Sequence, residues 1–184
     1  MDITLWIILG VVVVLGGWLV ATYNGLIQSR NRVDEAWSDI EVQMKRRYDL
    51  IPNIVETVKA YAKHEDSVFT KVTEARSAAM GAQSAAEHAQ AENMLSQTLK
   101  SLFAVAEAYP ALQSTGNFMH LQTELSDAED KISASRRFYN ANVRDYNTSL
   151  QSFPVNVIAG SFAFTKREFF DAPEIVNEPV KVQF

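Results

Sequence analysis

The chain has 184 residues, a formal net charge of −5 and no cysteine. The missing cysteines exclude disulfide bonds, thiolate catalysis and cysteine-ligated metal sites, and an acidic chain without a basic stripe is not typical of a nucleic-acid-binding protein. The charges are unevenly spread, since all 17 Lys and Arg and 21 of the 22 Asp and Glu follow residue 23. An uncharged apolar segment therefore precedes a charged region that is long enough for one domain.

Residues 3–23 have the length and composition of a membrane-spanning helix. Twelve of these 21 residues are Leu, Ile or Val, and as a helix the segment would span about 31 Å, close to the hydrocarbon thickness of a bilayer. Trp6 lies near one end, and Trp18 and Tyr23 near the other, as is typical of interfacial anchors. A cleaved signal peptide would begin with positive charges and end at a small-residue cleavage site, and the sequence has neither. We therefore predict a retained, single-pass transmembrane anchor over residues 1–23.

The charges that flank the anchor predict its orientation. Arg30 and Arg32 follow it closely, and no Lys or Arg precedes it. The positive-inside rule then places the charged domain in the cytoplasm and the N-terminus outside.

The domain is predicted to be built from long helices. Between residues 26 and 109 the only Gly or Pro residues are Pro52 and Gly81, which leaves little room for hairpins. Apolar residues alternate at spacings of three and four from Val33 to Ala62 and again from Phe118 to Leu150, as in helices that pack side by side in coiled-coil fashion. The first pattern continues through Pro52, which predicts one kinked helix, continuous with the anchor, rather than two helices.

Two further helices are predicted between these seams. One begins at His64–Asp66 and runs to about Met80, and the other runs from about Glu87 to Glu107 and stops at Tyr109-Pro110. The polar, Ala-rich stretch 78–91 is expected to be a solvated connection. We therefore expect an all-α protein, in which the N-terminal transmembrane helix is followed by an elongated antiparallel helical bundle over residues 24–172. Residues 173–184 are expected to be an extended or disordered tail, which begins at Pro173 and has Pro179 near its middle.

Residues 157–170 differ in character from the helices that precede them. Four Phe residues surround Lys166 and Arg167 in this stretch. Two interpretations stay open: an amphipathic element against the membrane surface or a partner, or a short segment folded back on the end of the bundle.

The sequence offers no support for catalysis, a cofactor or a metal. His64, His88 and His120 have no second ligand at metal-binding spacing. The acidic residues between Glu124 and Asp130 are interpreted as a solvated helix face rather than a cation site. Nucleophile-elbow, phosphate-loop and dinucleotide-binding motifs are absent from the sequence.

A repeated Tyr-Asn pair is the least ordinary pattern in the chain. Tyr139-Asn140 and Tyr146-Asn147 are seven residues apart and so return to nearly the same face of a helix. Tyr23-Asn24 is a third copy, at the end of the anchor. Buried Tyr and Asn side chains commonly fix the register of packed helices, and a recognition surface is the alternative. The arginines that could supply charge-assisted bonds across the bundle are Arg46, Arg47, Arg136 and Arg137.

With these residues the chain resembles the bacterial LemA family over almost its entire length. The resemblance implies a single-pass protein of the bacterial inner (cytoplasmic) membrane with an all-helical domain and no assigned enzyme activity, and some members are associated with building intracellular membrane compartments. The blocks that carry it include Tyr23-Asn24, 46–53, 58–65, 74–76, 107–110, 121–125, Glu129, 136–140, Tyr146-Asn147 and 153–156.

The preferred hypothesis is a non-catalytic, membrane-anchored scaffold that forms homo-oligomers or organises partner proteins at the membrane and helps to shape membrane assemblies. Its expected partners are the lipid bilayer, further copies of the chain and other membrane or cytoplasmic proteins, without nucleic acid. The alternative is a membrane-tethered sensor or ligand-binding module that uses the bundle interior. The candidate structural or interaction residues are Tyr23, Asn24, Arg47, Pro52, Asn53, Tyr109, Pro110, Arg136, Tyr139, Asn140, Tyr146 and Asn147.

Overall fold

The computed structural model describes residues 3–170. In this range the chain forms six α-helices and no strand, which confirms the predicted all-α class with a long apolar N-terminal helix and bundle packing. The tail expected over residues 173–184 lies outside the described residues. The helices are α1 (Ile3–Lys59), α2 (Asp66–Gly81), α3 (Ala85–Glu107), α4 (Pro110–Gln113), α5 (Gly116–Gln151) and α6 (Val155–Ser161).

Helix α1 joins the apolar segment to the bundle without a break. Its apolar N-terminal part is long enough to cross a membrane, and residues 3–21 are exposed along their whole length. Burial begins at Leu26 and continues with Val33, Ala36 and Ile40 at helical spacing. The helix runs through Pro52, which faces solvent, so this segment is one helix, as expected.

The core lies mainly between α1 and α5, which pack side by side in opposite directions. The rings of Trp37 and Tyr139 are 5.4 Å apart. Ten residues further along α1, Arg47 lies 3.5 Å from Glu129, ten residues earlier in α5. Helices α2 and α3 form a second pair that covers the part of α1 distal to the apolar segment. The seam residues expected from their spacing, such as Ile40 and Ile132, are buried in this core.

The helix–helix connection expected over residues 78–91 is observed, but it is shorter than expected. Only residues 82–84 interrupt the helices, and although most of the stretch is exposed or partly exposed, Ala79, Ala85 and Ala89 are buried. Ser84 begins α3 with a capping box, in which its hydroxyl accepts a bond from the Glu87 N–H and the Glu87 carboxylate accepts one from the Ser84 N–H. The small alanine side chains allow the two helices to approach closely, so a stretch of low hydrophobicity is nevertheless part of the core.

The segment after α5 folds back along the bundle. Helix α6 packs against α1 and α5, and the chain then runs without regular structure along α5 as far as Phe170, whose ring is buried. We call residues 164–170 the strap. The folded-back interpretation is therefore observed for Ile158, Ala159 and the strap, whereas Val157 and Phe162 remain exposed.

Candidate functional site

Two asparagines on one face of α5 hold the main chain of the strap. Asn140 donates from Nδ2 to the carbonyl oxygen of Phe170 (3.0 Å) and accepts the Phe170 N–H at Oδ1 (2.8 Å). Asn147 makes the same two bonds, each of 2.9 Å, to the carbonyl and N–H of Arg167. An asparagine amide is well suited to this task because it presents one donor and one acceptor side by side. We call these two residues the asparagine clamp.

The spacing of the clamp explains why the Tyr-Asn pair repeats at seven residues. Seven residues of α-helix rise about 10.5 Å, and the three residues from Arg167 to Phe170 span about 10 Å when extended. The two distances match. Side-chain amides seven residues apart on α5 can therefore bond to two backbone positions that are three residues apart in an extended segment. Tyr139 adds a fifth bond, since its hydroxyl donates to the Glu168 carbonyl oxygen at 2.8 Å.

Side-chain contacts fix the position of the strap on the bundle. The buried Phe170 ring lies 6.0 Å from the Trp37 ring, and the Arg136 guanidinium covers it at 4.5 Å from the ring centroid. This is cation–π geometry, and the burial of Arg136 lowers its pKa. Arg167 forms an ion pair with Asp34 of α1 at 2.7 Å. The strap thus bridges α5 and α1.

A buried polar network lies between α1, α3 and α5, further from the apolar segment than the strap is. Arg47 and Glu92 are both 2% exposed and form an ion pair. The Tyr48 hydroxyl donates to the second Glu92 oxygen, and Arg47 also donates to Ser96 Oγ at 3.1 Å. Because a buried carboxylate must be paired to be tolerated, these bonds specify how α3 docks on α1.

The titration of three buried tyrosines predicts a loss of stability in alkali. Burial is the first cause of the raised pKa of Tyr48, Tyr139 and Tyr146, and the bond to Glu92 raises that of Tyr48 further. Above about pH 10 the unfolded chain loses phenolic protons that the folded chain keeps, so the free energy of unfolding falls as the pH rises, by up to about 1.4 kcal/mol per pH unit for Tyr48. Tyr139 and Tyr146 contribute in the same direction. Denaturant titrations between about pH 9 and pH 12 measure this slope. The variant Tyr48→Phe should reduce it by one proton, and an unchanged slope would contradict the assignment.

The remaining candidate residues divide between these sites and the surface. Arg136, Tyr139, Asn140 and Asn147 meet at the strap, and Arg47 lies in the buried network. The others have separate positions. Tyr146 is buried in the core, and Tyr23 contacts the rings of Phe162 and Phe164. Tyr109 is the N-cap of α4, and Pro110 is the first residue of that helix. Three residues are exposed: Asn24, Pro52 and Asn53.

Sequence reasoning missed Glu92, and a signal for it was present. Glu92 lies three residues before Leu95, on the same stripe as Leu99 and Leu102. A carboxylate on an apolar stripe predicts a buried partner. Trp37 lies within the seam predicted from Val33 to Ala62, and its contact with the Phe170 ring of the strap was not expected.

Several acidic residues of α5 pair with arginines of α1. Glu124 and Asp127 pair with Arg46 at 2.6 and 3.1 Å, and Glu129 lies beside Arg47. The three carboxylate side chains are still 36–43% exposed, so they lie on a solvated face, as expected, and also form ion pairs with α1. Within residues 3–170, His, Asp and Glu form no group of three or more that could hold a metal ion.

An open cavity of about 380 Å³ lies beside the clamp. Its lining includes Trp37, His88, Tyr139, Arg167 and Glu168, from α1, α3, α5 and the strap. The Nδ1 atom of His88 is buried and has no hydrogen-bond partner within the described residues.

Together these features define a membrane-associated, all-helical protein. One helix, α1, contains the apolar segment and also contributes to the core of the bundle. The family model described as the LemA family matches residues 36–184, and the chain belongs to this family.

Curated relatives extend this relationship. Magnetosome protein MamQ 2 of Paramagnetospirillum magneticum is 26% identical over 188 residues, which cover 88% of this chain and 69% of the relative. Magnetosome protein MamQ of Magnetospirillum gryphiswaldense is 24% identical over 188 residues, which also cover 88% of this chain and 69% of the relative. Protein LemA of Metamycoplasma hominis is 25% identical over 153 residues, or 83% of this chain and 70% of its own length. None of these three names denotes an enzyme.

Proposed function

We propose that this protein is a non-catalytic scaffold, anchored in the bacterial inner membrane by residues 3–23, that self-associates or organises partner proteins there and shapes membrane assemblies. The bundle would lie in the cytoplasm, with the N-terminus outside, because Arg30 and Arg32 follow the anchor. The names of the magnetosome relatives are in keeping with a role in organised assemblies.

The observation that carries this proposal is the continuity of α1. The same helix supplies the exposed apolar segment and the row of buried core residues from Leu26 to Val58. A bundle joined to its anchor by a helix, rather than by a flexible linker, keeps a fixed orientation to the membrane. A fixed orientation is what allows neighbouring copies to present matching surfaces.

Exposed apolar side chains on the bundle offer contact points for partners. Val42 on α1 and Phe138 on α5 are exposed, as are Met80, Met94 and Met119 on α2, α3 and α5. Methionine side chains are flexible and polarizable and adapt to varied partner surfaces. Their distribution over several helices suits a scaffold with more than one neighbour.

The asparagine clamp supplies a way for one copy to engage another. Its four bonds go to main-chain atoms, so an extended segment from a second copy would make the same bonds. The strap leaves α6 at Ala163, whose φ of 55° is unfavourable for a residue with a Cβ. Strain at the hinge of an exchangeable segment favours exchange between copies.

Light scattering of the full-length protein in detergent, together with crosslinking in membranes, tests the proposal. We expect assemblies of more than one copy, and fewer of them for the variant Asn140→Ala/Asn147→Ala. A monomer that crosslinks to no partner would overturn the scaffold. Unchanged assembly of the clamp variant would place self-association on another surface.

The cavity beside the clamp supports the second candidate, a membrane-tethered ligand-binding module. Its mixture of aromatic and charged lining groups, with the unpartnered His88 Nδ1, is suited to a small polar ligand. A thermal-shift screen with Tyr139→Phe tests this candidate. A ligand whose stabilising effect is lost in a variant of normal basal stability would favour it, and a variant that is merely less stable would not.

A further inference from the structure

The end of the bundle nearest the apolar segment exposes a group of large apolar side chains. Phe153, Val157 and Phe162 are 83%, 62% and 51% exposed. Helix α6 buries Ile158 and Ala159 against the bundle, and Val157 is the large apolar side chain on its exposed face, beside Asn156, Gly160 and Ser161. We call Phe153, Val157 and Phe162 the basal surface. Large apolar side chains exposed in one region of a protein surface often mark an interaction site.

The basal surface lies level with the end of the apolar segment. The Phe162 ring is 5.0 Å from the ring of Tyr23, the last residue of that segment. The register of the helices agrees: Tyr139 lies beside Trp37, so Gln151, twelve residues later at the end of α5, is about level with Gly25. Two residues of helix rise only about 3 Å, and the bundle therefore begins where the membrane would end.

Basic side chains lie just beyond this level. The guanidinium of Arg30 is 5.8 Å from the centroid of the Phe164 ring, and Arg32 and Lys166 are exposed. Arg30 and Arg32 follow Tyr23 by seven and nine residues on α1, or about 10–14 Å along the helix. Aromatic rings at the membrane interface with cationic groups beyond them on the water side are typical of proteins that lie on anionic bilayers.

We propose that the basal surface is a second bilayer contact, which seats the base of the bundle in the lipid headgroups. The bilayer is the occupant because the surface is continuous with the membrane-facing surface of α1. With two points of attachment, α1 and α6, the tilt of the bundle is fixed. The inference rests on anchoring through residues 3–23, which the experiment tests separately.

The missing cysteines make the test direct, since each introduced cysteine is a unique site for a nitroxide label. The full-length variants Trp18→Cys, Val157→Cys and Met119→Cys are compared in phosphatidylcholine–phosphatidylglycerol vesicles. Position 18 lies in the apolar segment, and Met119 is exposed near the far end of the bundle, opposite a residue about 50 Å along α1 from Tyr23. Collision rates with oxygen and with a water-soluble nickel chelate report how deeply each label lies.

We expect the nickel collision rate at position 157 to be about fivefold lower than at 119, because an interfacial side chain lies about 5–10 Å inside the headgroup boundary. Adding Phe153→Glu should raise it towards the value at 119, whereas Gln122→Glu should leave it unchanged. Since Phe153 is exposed, this variant does not disturb the core.

Two outcomes would overturn the basal contact while leaving the anchor intact. Equal nickel access at 157 and 119 would show a surface in water. Low access to both reagents, with spin–spin broadening, would show that a second copy covers it. A water-exposed label at position 18 would instead overturn the anchoring, and this inference with it.

Discussion

Replacing Glu92 with leucine is expected to lower the free energy of unfolding by about 3–5 kcal/mol, because the buried Arg47 guanidinium is left without its carboxylate partner. The Tyr48 hydroxyl loses its acceptor at the same time. Denaturant unfolding of the full-length protein in detergent, followed by helical circular dichroism, measures the change. Part of the destabilisation should be recovered in Arg47→Met/Glu92→Leu, which removes both charges.

The matched control is Glu124→Leu, which breaks the ion pair with Arg46. Both of those side chains are about one-third exposed, and a solvent-exposed ion pair of this kind contributes little to stability. If the Glu92 and Glu124 variants were equally stable, the buried network would not be what holds α3 to α1.

Removing the asparagine clamp should release the strap from the bundle. Asn140→Ala/Asn147→Ala deletes four hydrogen bonds to the strap backbone, each with a net contribution of about 0.5–1.5 kcal/mol. Trypsin recognises Lys166 and Arg167, and cleavage there requires the strap to leave the clamp. With a loss of about 2 kcal/mol or more, the cleavage rate should rise about thirtyfold or more when opening is fast relative to cleavage.

Two further variants make the clamp experiment specific. Asn53→Ala removes an exposed asparagine of α1 whose side chain bonds to nothing within the described residues, and it should leave the cleavage rate unchanged. Asn140→Asp/Asn147→Asp keeps the acceptors and loses the donors, so an intermediate rate is expected. Equal rates for the wild type and the alanine variant would show that the other contacts, such as the buried Phe170 ring and the Arg167–Asp34 ion pair, hold the strap without the clamp.

Most of the helical framework could be predicted from periodicity and from the scarcity of Gly and Pro. The expected helices ending near Met80 and Glu107 are observed as α2 and α3. The burial of Ala79, Ala85 and Ala89 was not predicted, because a search for large apolar residues does not detect alanines that pack in a core.

The site was only half predictable. The Tyr-Asn repeat predicted that Asn140 and Asn147 share a face, but it could not reveal their partner. That partner is the backbone of residues 20 to 30 positions later, and main-chain groups are the same in every residue, so they leave no trace in the sequence. The contacts of the Phe170 ring could not be predicted either. An aromatic residue in an irregular segment is expected to be buried, but the sequence does not show which side chains will surround it.

Counting copies of the full-length chain in lipid vesicles, by stepwise photobleaching of a single attached dye, tests the scaffold most directly. At protein densities low enough that chance coincidence is negligible, we expect assemblies of two or more copies. The variant Asn140→Ala/Asn147→Ala, once circular dichroism has shown that it is folded, should shift the distribution towards single copies. Single copies of the wild type, with no partner protein captured by crosslinking in native membranes, would contradict it.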